Sequence, residues 1–168
     1  MSILVCYDGS PNAKEALSVA QATLSRGSMI LLHVWNPPAA FLADSFSDPS
    51  TAADPPIAKL EHLAFERAQA IAAEGRELAD ARDLAVTVRI ERNDSSVWQT
   101  ILDVAADADA ELIVVGTRGR TAVQSALLGS VSGAIVHHSQ RPVLIVPAPA
   151  RGDVSVAGRD GDREPVLR

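Results

Sequence analysis

The chain has 168 residues, 47% of them apolar but only 4% aromatic, which is one ordinary domain with an aliphatic core and room for a loop or tail. Fifteen Lys and Arg against 21 Asp and Glu give a net charge of −6, which speaks against bulk binding of nucleic acid or an anionic membrane. Cys6 is the single cysteine, so no internal disulfide framework and no cysteine-based zinc site can form. No apolar run reaches the roughly 18 residues of a membrane span, and the N-terminus lacks the features of a secretory signal. A cytoplasmic protein is expected.

Five short apolar runs, at 3–7, 29–35, 85–91, 112–116 and 142–146, read as strands. Leu112-Ile113-Val114-Val115 and Val143-Leu144-Ile145-Val146 are continuous rather than alternating, as strands covered on both faces are. Ser10-Pro11 supplies an N-cap and a first-turn proline for a helix whose apolar positions are Ala13, Ala16, Leu17, Ala20 and Leu24. A longer helix places Ile57, Leu60, Ala64, Ala68, Ile71, Gly75 and Leu78 on one face. Its other face, with Glu61, Glu66, Arg67, Glu74, Arg76 and Glu77, is read as solvated. A third helix begins near Ser95-Ser96, with Trp98, Ile101, Leu102 and Ala105 inward. The last begins near Gly129-Ser130 and ends before Pro142.

This alternation predicts an α/β fold in one domain, a doubly wound five-stranded parallel sheet of order 3-2-1-4-5 with helices on both faces, flavodoxin- or Rossmann-like. Residues 36–56 contain five prolines and read as a long loop, and residues 148–168 as a disordered tail.

In such a sheet, ligands bind beyond the carboxyl ends of the strands where the winding reverses. The first strand runs into Asp8-Gly9-Ser10 and the fourth into Gly116-Thr117-Arg118-Gly119; both ends flank that crevice. Asp8 and Ser10 suit a helix cap as well as a ligand. Gly116 and Gly119 let backbone approach a ligand closely. Gly129-Ser130, at a helix start, offers N–H groups and the positive end of the macrodipole to an anion. Arg118 suits a phosphate contact as well as an exposed surface charge. Residues 111–147 carry Arg118, Arg120 and Arg141 against Glu111, the one net-positive stretch of an acidic chain.

The spacing Gly116-x2-Gly119-x9-Gly129-Ser130, together with Ile3-Leu4-Val5-Cys6-Tyr7-Asp8-Gly9-Ser10, Leu32-His33-Val34 and the stretch from Ser130 to Pro147, resembles the universal stress protein family in its ATP-binding branch, over residues 1–147. The resemblance implies binding of ATP or another adenine nucleotide at the ends of the first and fourth strands. It sets Asp8 near the adenine or ribose, Val34 against the base through its backbone, and Gly116 and Gly119 along the ribose and phosphate path. Gly129, Ser130 and Val131 fall on the phosphates, with Mg²⁺ or Mn²⁺ held by phosphate and water. It further implies a homodimer paired through the fifth strand, Pro142 to Pro147, an apolar edge without protecting charge.

Other chemistries lack their residues. No lysine follows the glycines as a Walker loop requires, and the Rossmann glycine pattern after the first strand is absent. A phosphoacceptor receiver domain would carry a lysine after its fifth strand, where Pro147-Ala148 stands. No nucleophile–base set or carboxylate pair is placed for catalysis. A nucleotide-responsive module is therefore expected, with a weak ATPase or a cyclic-AMP sensor as the alternatives. His137 and His138, adjacent on a helix, point about 100° apart and form no chelate. They, His33, Trp35, Trp98 and Cys6 are read as packing or surface residues.

Overall fold

The computed structural model describes residues 1–23, 27–38, 57–117, 119 and 128–147. The expected loop, from residue 39 onward, and the expected tail lie outside them. Among the described residues nine elements alternate in chain order: β1 (Ser2–Cys6), α1 (Pro11–Thr23), β2 (Ser28–Trp35), α2 (Ile57–Asp80), β3 (Val86–Arg92), α3 (Val97–Asp107), β4 (Leu112–Gly116), α4 (Ser130–His138) and β5 (Val143–Val146). Every expected strand is present, its ends displaced by at most one residue.

The strands form one parallel sheet of order β3-β2-β1-β4-β5. The central strand shows why the apolar runs are continuous. Ile3, Val5 and Tyr7 face α1 and α2, in a core with Ala13, Ala16, Leu17, Ala20, Met29, Leu31 and Ala79. Leu4 and Cys6 face the other way, toward Ile101, Val104 and Ala105 of α3 and Ile135 of α4. β4 divides likewise, Val114 to the first core and Ile113 and Val115 to the second. Burying both faces of a strand removes apolar surface on each side, worth roughly 25 cal/mol per Å².

The start of α1 follows the capping rules. Ser10 Oγ accepts the Ala13 N–H at 3.2 Å, and Pro11 opens α1 where an N–H would have no helical partner. Ser96 and Gly129 are the N-caps of α3 and α4. In α2, Gly75 lets the helix descend onto the sheet. A β-carbon there would lie 2.6 Å from Leu31 Cδ2 and 2.9 Å from Tyr7 Cδ1.

The charged face of α2 is more than a solvated surface. Glu61 pairs with Arg92 at 2.9 Å, Glu74 pairs with Lys14 of α1, and Arg76 donates to the Val86 carbonyl at 3.3 Å. Exposed pairs of this kind are worth only ~0–1 kcal/mol each, but they fix where α2 sits against α1 and β3. No described helix is long and apolar enough to cross a membrane.

Candidate functional site

β1 and β4 are neighbours, yet α1 packs on one face of the sheet and α4 on the other. The winding reverses between these two strands, and the crevice opens at their carboxyl ends. The site is built where they end.

At the end of β1, the Tyr7 N–H still donates to the Leu32 carbonyl at 2.8 Å. The chain then turns sharply: Asp8 Oδ1 accepts the Ser10 N–H at 3.0 Å and Gly9 adopts φ +78°. That φ suits glycine because an L side chain would be strained. The turn fixes the Asp8 carboxylate at the crevice. Ser10 is buried, its hydroxyl spent on the α1 cap.

The end of β4 meets this turn. A β-carbon on Gly119 would come within 2.8 Å of Asp8 Oδ2, so bare backbone at 119 is what allows Asp8 its position. Gly116 has a different reason. A β-carbon there would lie 2.7 Å from Asn12 Cβ and 3.0 Å from the Asn12 carbonyl carbon. Its lack of a side chain admits helix α1.

Between the two glycines, Thr117 joins three elements. Its N–H donates to the Val146 carbonyl of β5 at 2.8 Å. Its hydroxyl oxygen accepts from Asn12 Nδ2 at 2.8 Å. Its carbonyl accepts both the Gly129 N–H at 2.7 Å and the Ser132 hydroxyl at 2.8 Å. The start of α4 is thereby tied to the end of β4. The Gly129 N–H is consumed in this tie, while the Gly129 carbonyl accepts the Gly133 N–H at 2.9 Å to open the helix. The first-turn N–H groups of Ser130, Val131 and Ser132 have no carbonyl one turn back, as in any helix, and carry the positive end of the macrodipole. Ser130 is exposed and Val131 half-buried.

Val34 stands one strand away, at the end of β2. With His33, Trp35 and Asn36 it lines an open cavity of about 630 Å³, whose far wall is α2 with Arg67 and Ile71. Ile71 reaches the β1–α1 turn: its Cγ2 would lie 3.7 Å from a β-carbon on Gly9. The cavity and the crevice thus share the Asp8 turn as a border. His33 is buried, and its Nδ1 lies 2.8 Å from the Tyr7 carbonyl, which makes Nδ1 the protonated nitrogen.

The expected residues Asp8, Ser10, Gly116, Gly119, Gly129, Ser130 and Val131 cluster around the β1 and β4 ends, with Val34 beside them. Arg118 lies outside the described residues. Asn12, Thr117 and Ser132 were missed. Asn12 is four residues before Ala16 and Ser132 three before Ile135, so both fall on buried helix faces, and a polar residue there is a usable signal.

Remaining candidates play structural parts. Burial first, and then the negative charge of Asp8, push the Cys6 thiol up to about 12. A thiol in that state is a poor nucleophile. Burial, with Glu74 and Asp8 nearby, also raises the Tyr7 phenol. His138 stacks on Trp98 with ring centroids 4.6 Å apart, and His137 meets His138 edge-on at 4.8 Å. Trp35 packs on Phe65 at 5.6 Å. Among the described residues no cluster of three or more His, Cys, Asp and Glu could hold a metal ion.

Comparison with known proteins agrees with this architecture. A match to the universal stress protein family spans residues 1–147. The chain is 33% identical over 147 residues to the Thermus aquaticus universal stress protein in QAH/OAS sulfhydrylase 3′ region, covering 86% of this chain and 97% of that one. Among solved structures, the hypothetical protein MJ0577 aligns with a TM-score of 0.66 and 26% identity, over 87% of this chain and 94% of that one. A universal stress protein in complex with cAMP aligns with a TM-score of 0.60 and 25% identity, over 89% and 98%. The sheet order, the helices on both faces and the match over nearly all the described residues lead to one conclusion: this chain belongs to the universal stress protein family.

Proposed function

We propose that the chain binds an adenine nucleotide, ATP foremost, in the crevice beyond β1 and β4, and acts as a nucleotide-responsive module rather than a dedicated enzyme. One observation carries this reading: Asp8 against Gly119, and the start of α4 tied through Thr117 to the same strand end, bring a carboxylate acceptor and a row of N–H donors to one crevice. Asp8 accepts hydrogen bonds from the ribose or base, and Val34 presents backbone to the base at the edge of its cavity. Ser130 and Val131, at the α4 start, take the phosphates, whose charge suits a helix N-terminus. Arg118, where the sequence places it, adds a cation. A divalent ion, Mg²⁺ or Mn²⁺, fits a site without a carboxylate cluster because phosphate oxygens and water supply its ligands. When bound, it neutralises phosphate charge.

Hydrolysis in such a site is at most slow. Positioned donors stabilise charge on the phosphates, but among the described residues the one carboxylate placed at the crevice, Asp8, is assigned to the ribose or base and not to the attacking water. The second reading, a cyclic-AMP sensor, is favoured by the similarity to a family member crystallised with cAMP. Displacement of a fluorescent adenine nucleotide tests both. ATP, with Mg²⁺ present, displaces the probe at lower concentration than cyclic AMP if the first reading holds. The reverse order favours the second, and no displacement by either rejects both.

The same proposal includes a cytoplasmic homodimer paired through β5. This strand is an edge of the sheet and reads Val143-Leu144-Ile145-Val146, whereas the opposite edge, β3, carries Arg89 bonded to Glu91 and Asp107 at 2.7 Å each. An apolar edge without charge invites a second copy. Sedimentation at micromolar concentration should give twice the chain mass; a monomer rejects this pairing.

A further inference from the structure

We propose that the cavity between β2 and the first half of α2 is a second ligand site, which takes an aromatic organic anion independently of the nucleotide. The sequence of α2 makes the hollow. The helix is pressed onto the sheet at Gly75, where a β-carbon would lie 2.6 Å from Leu31 Cδ2. Two and three turns nearer its start, the residues toward β2 are Ala68 and Ala64, whose methyl groups leave the space before His33 and Trp35 unfilled. The cavity has about 630 Å³. An apolar cavity of roughly 150 Å³ already holds benzene, so two fused rings fit. The sheet wall is fixed in advance: the His33 ring is held at 2.8 Å by the Tyr7 carbonyl, and the Trp35 ring packs on Phe65 at 5.6 Å. A fixed wall limits the order lost on binding. β1 stands between this cavity and the β4 end where α4 starts.

Arg67 supplies the charge. It lies on the cavity side of α2, between Ala64 and Ile71, and is exposed. Among the described residues it is the one arginine without a partner: Arg76 and Arg82 donate to carbonyls, and Arg89, Arg92 and Arg141 pair with carboxylates. The positions three and four away along α2 are Ala64, Ala70, Leu63 and Ile71, and hold no acid to pair with it. The nearby acids are engaged elsewhere, Glu61 with Arg92 and Glu66 with His62. An apolar hollow walled by aromatic rings, with one permanent cation on its lining, matches a ligand with an aromatic body and a single carboxylate or sulfonate. A neutral ring would leave the guanidinium unmatched, and a polyphosphate would find one cation among apolar groups.

The test titrates the full chain with anilinonaphthalene sulfonate, read by its fluorescence, and with phenylnaphthylamine, which keeps the rings and lacks the sulfonate. The wild type is expected to bind the sulfonate probe at one site per chain, and naphthoate to displace it. Arg67→Gln should weaken the sulfonate probe about fivefold while leaving the neutral probe within about twofold. Arg67→Lys should keep most of the affinity. Ala64→Phe, which fills the hollow, should weaken both probes about tenfold or more, and saturating ATP should leave the sulfonate probe bound. Equal sulfonate affinity in wild type and Arg67→Gln, or unchanged binding of both probes in Ala64→Phe, overturns the proposal. Displacement of the probe by ATP overturns it too, because the cavity would then belong to the nucleotide. Should Ala64→Phe not fold, as a thermal melt would show, Ala64→Leu takes its place. A wild-type protein that binds the probe but not ATP rejects the nucleotide reading and upholds this site, so the two failures are distinct.

Discussion

Gly119 and Asp8 meet across the winding reversal so closely that one β-carbon at 119 would sit 2.8 Å from the Asp8 carboxylate. The atom it would strike is the end of a side chain, so the fold can yield by moving Asp8. We therefore expect Gly119→Val to fold with near-wild-type stability and to lose at least about tenfold in adenine-nucleotide affinity, because Asp8 is displaced and the crevice is narrowed. Calorimetric titration alongside a thermal melt checks both halves.

Gly116 presents the opposite case. A β-carbon there meets Cβ and the backbone of Asn12, which cannot swing aside. Gly116→Ala should cost about 1–3 kcal/mol, the usual range for overpacking, read from urea denaturation as a lower midpoint at unchanged slope. A variant as stable as the wild type would show that α1 can retreat.

Much of this was legible in the sequence. Continuous runs such as Leu112 to Val115 identify strands covered on both faces, and Ser10-Pro11 and Gly129-Ser130 mark helix starts that the structure keeps. The approach of Asn12 to Gly116 was not legible, because a glycine at a strand end serves a ligand or a neighbouring helix equally well and its spacing does not say which element lies against it. Thr117 was passed over because its importance comes from its N–H, its carbonyl and a hydroxyl bond to a residue 105 positions away. Glu74 was assigned to the solvated face of α2, yet its partner Lys14 lies on another helix. Pairings between elements carry no local sequence signal.

Gly75 offers a test of the α2 packing. Alanine gains up to about 1 kcal/mol over glycine in helix propensity. Here its methyl would press on Leu31 and the Tyr7 ring, both buried. The overpacking term of about 1–3 kcal/mol should win, and Gly75→Ala should melt below the wild type. A higher melting temperature would mean that α2 is less tightly seated.

Cys6 gives a pH dependence. Its thiol is pushed from an ordinary value of 9.0 up to about 12, first by burial and then by Asp8. The unfolded chain therefore releases this proton before the folded one does. Stability is unaffected by this group below about pH 9 and falls as pH rises from there toward 12. The raised Tyr7 phenol acts in the same sense at still higher pH. Cys6→Ala should lower stability at neutral pH but flatten its decline just above pH 9. The thiol should also react slowly with disulfide reagents at pH 8 until the protein is unfolded; fast reaction in the folded state would contradict its burial.

The most direct test is a calorimetric titration of ATP, with Mg²⁺, into the wild-type protein and into Gly119→Val. The account predicts saturable binding at one site per chain in the wild type and its loss or severe weakening in the variant. The absence of any binding heat with ATP and with cyclic AMP across the accessible temperature range, or equal binding by both proteins, would contradict it.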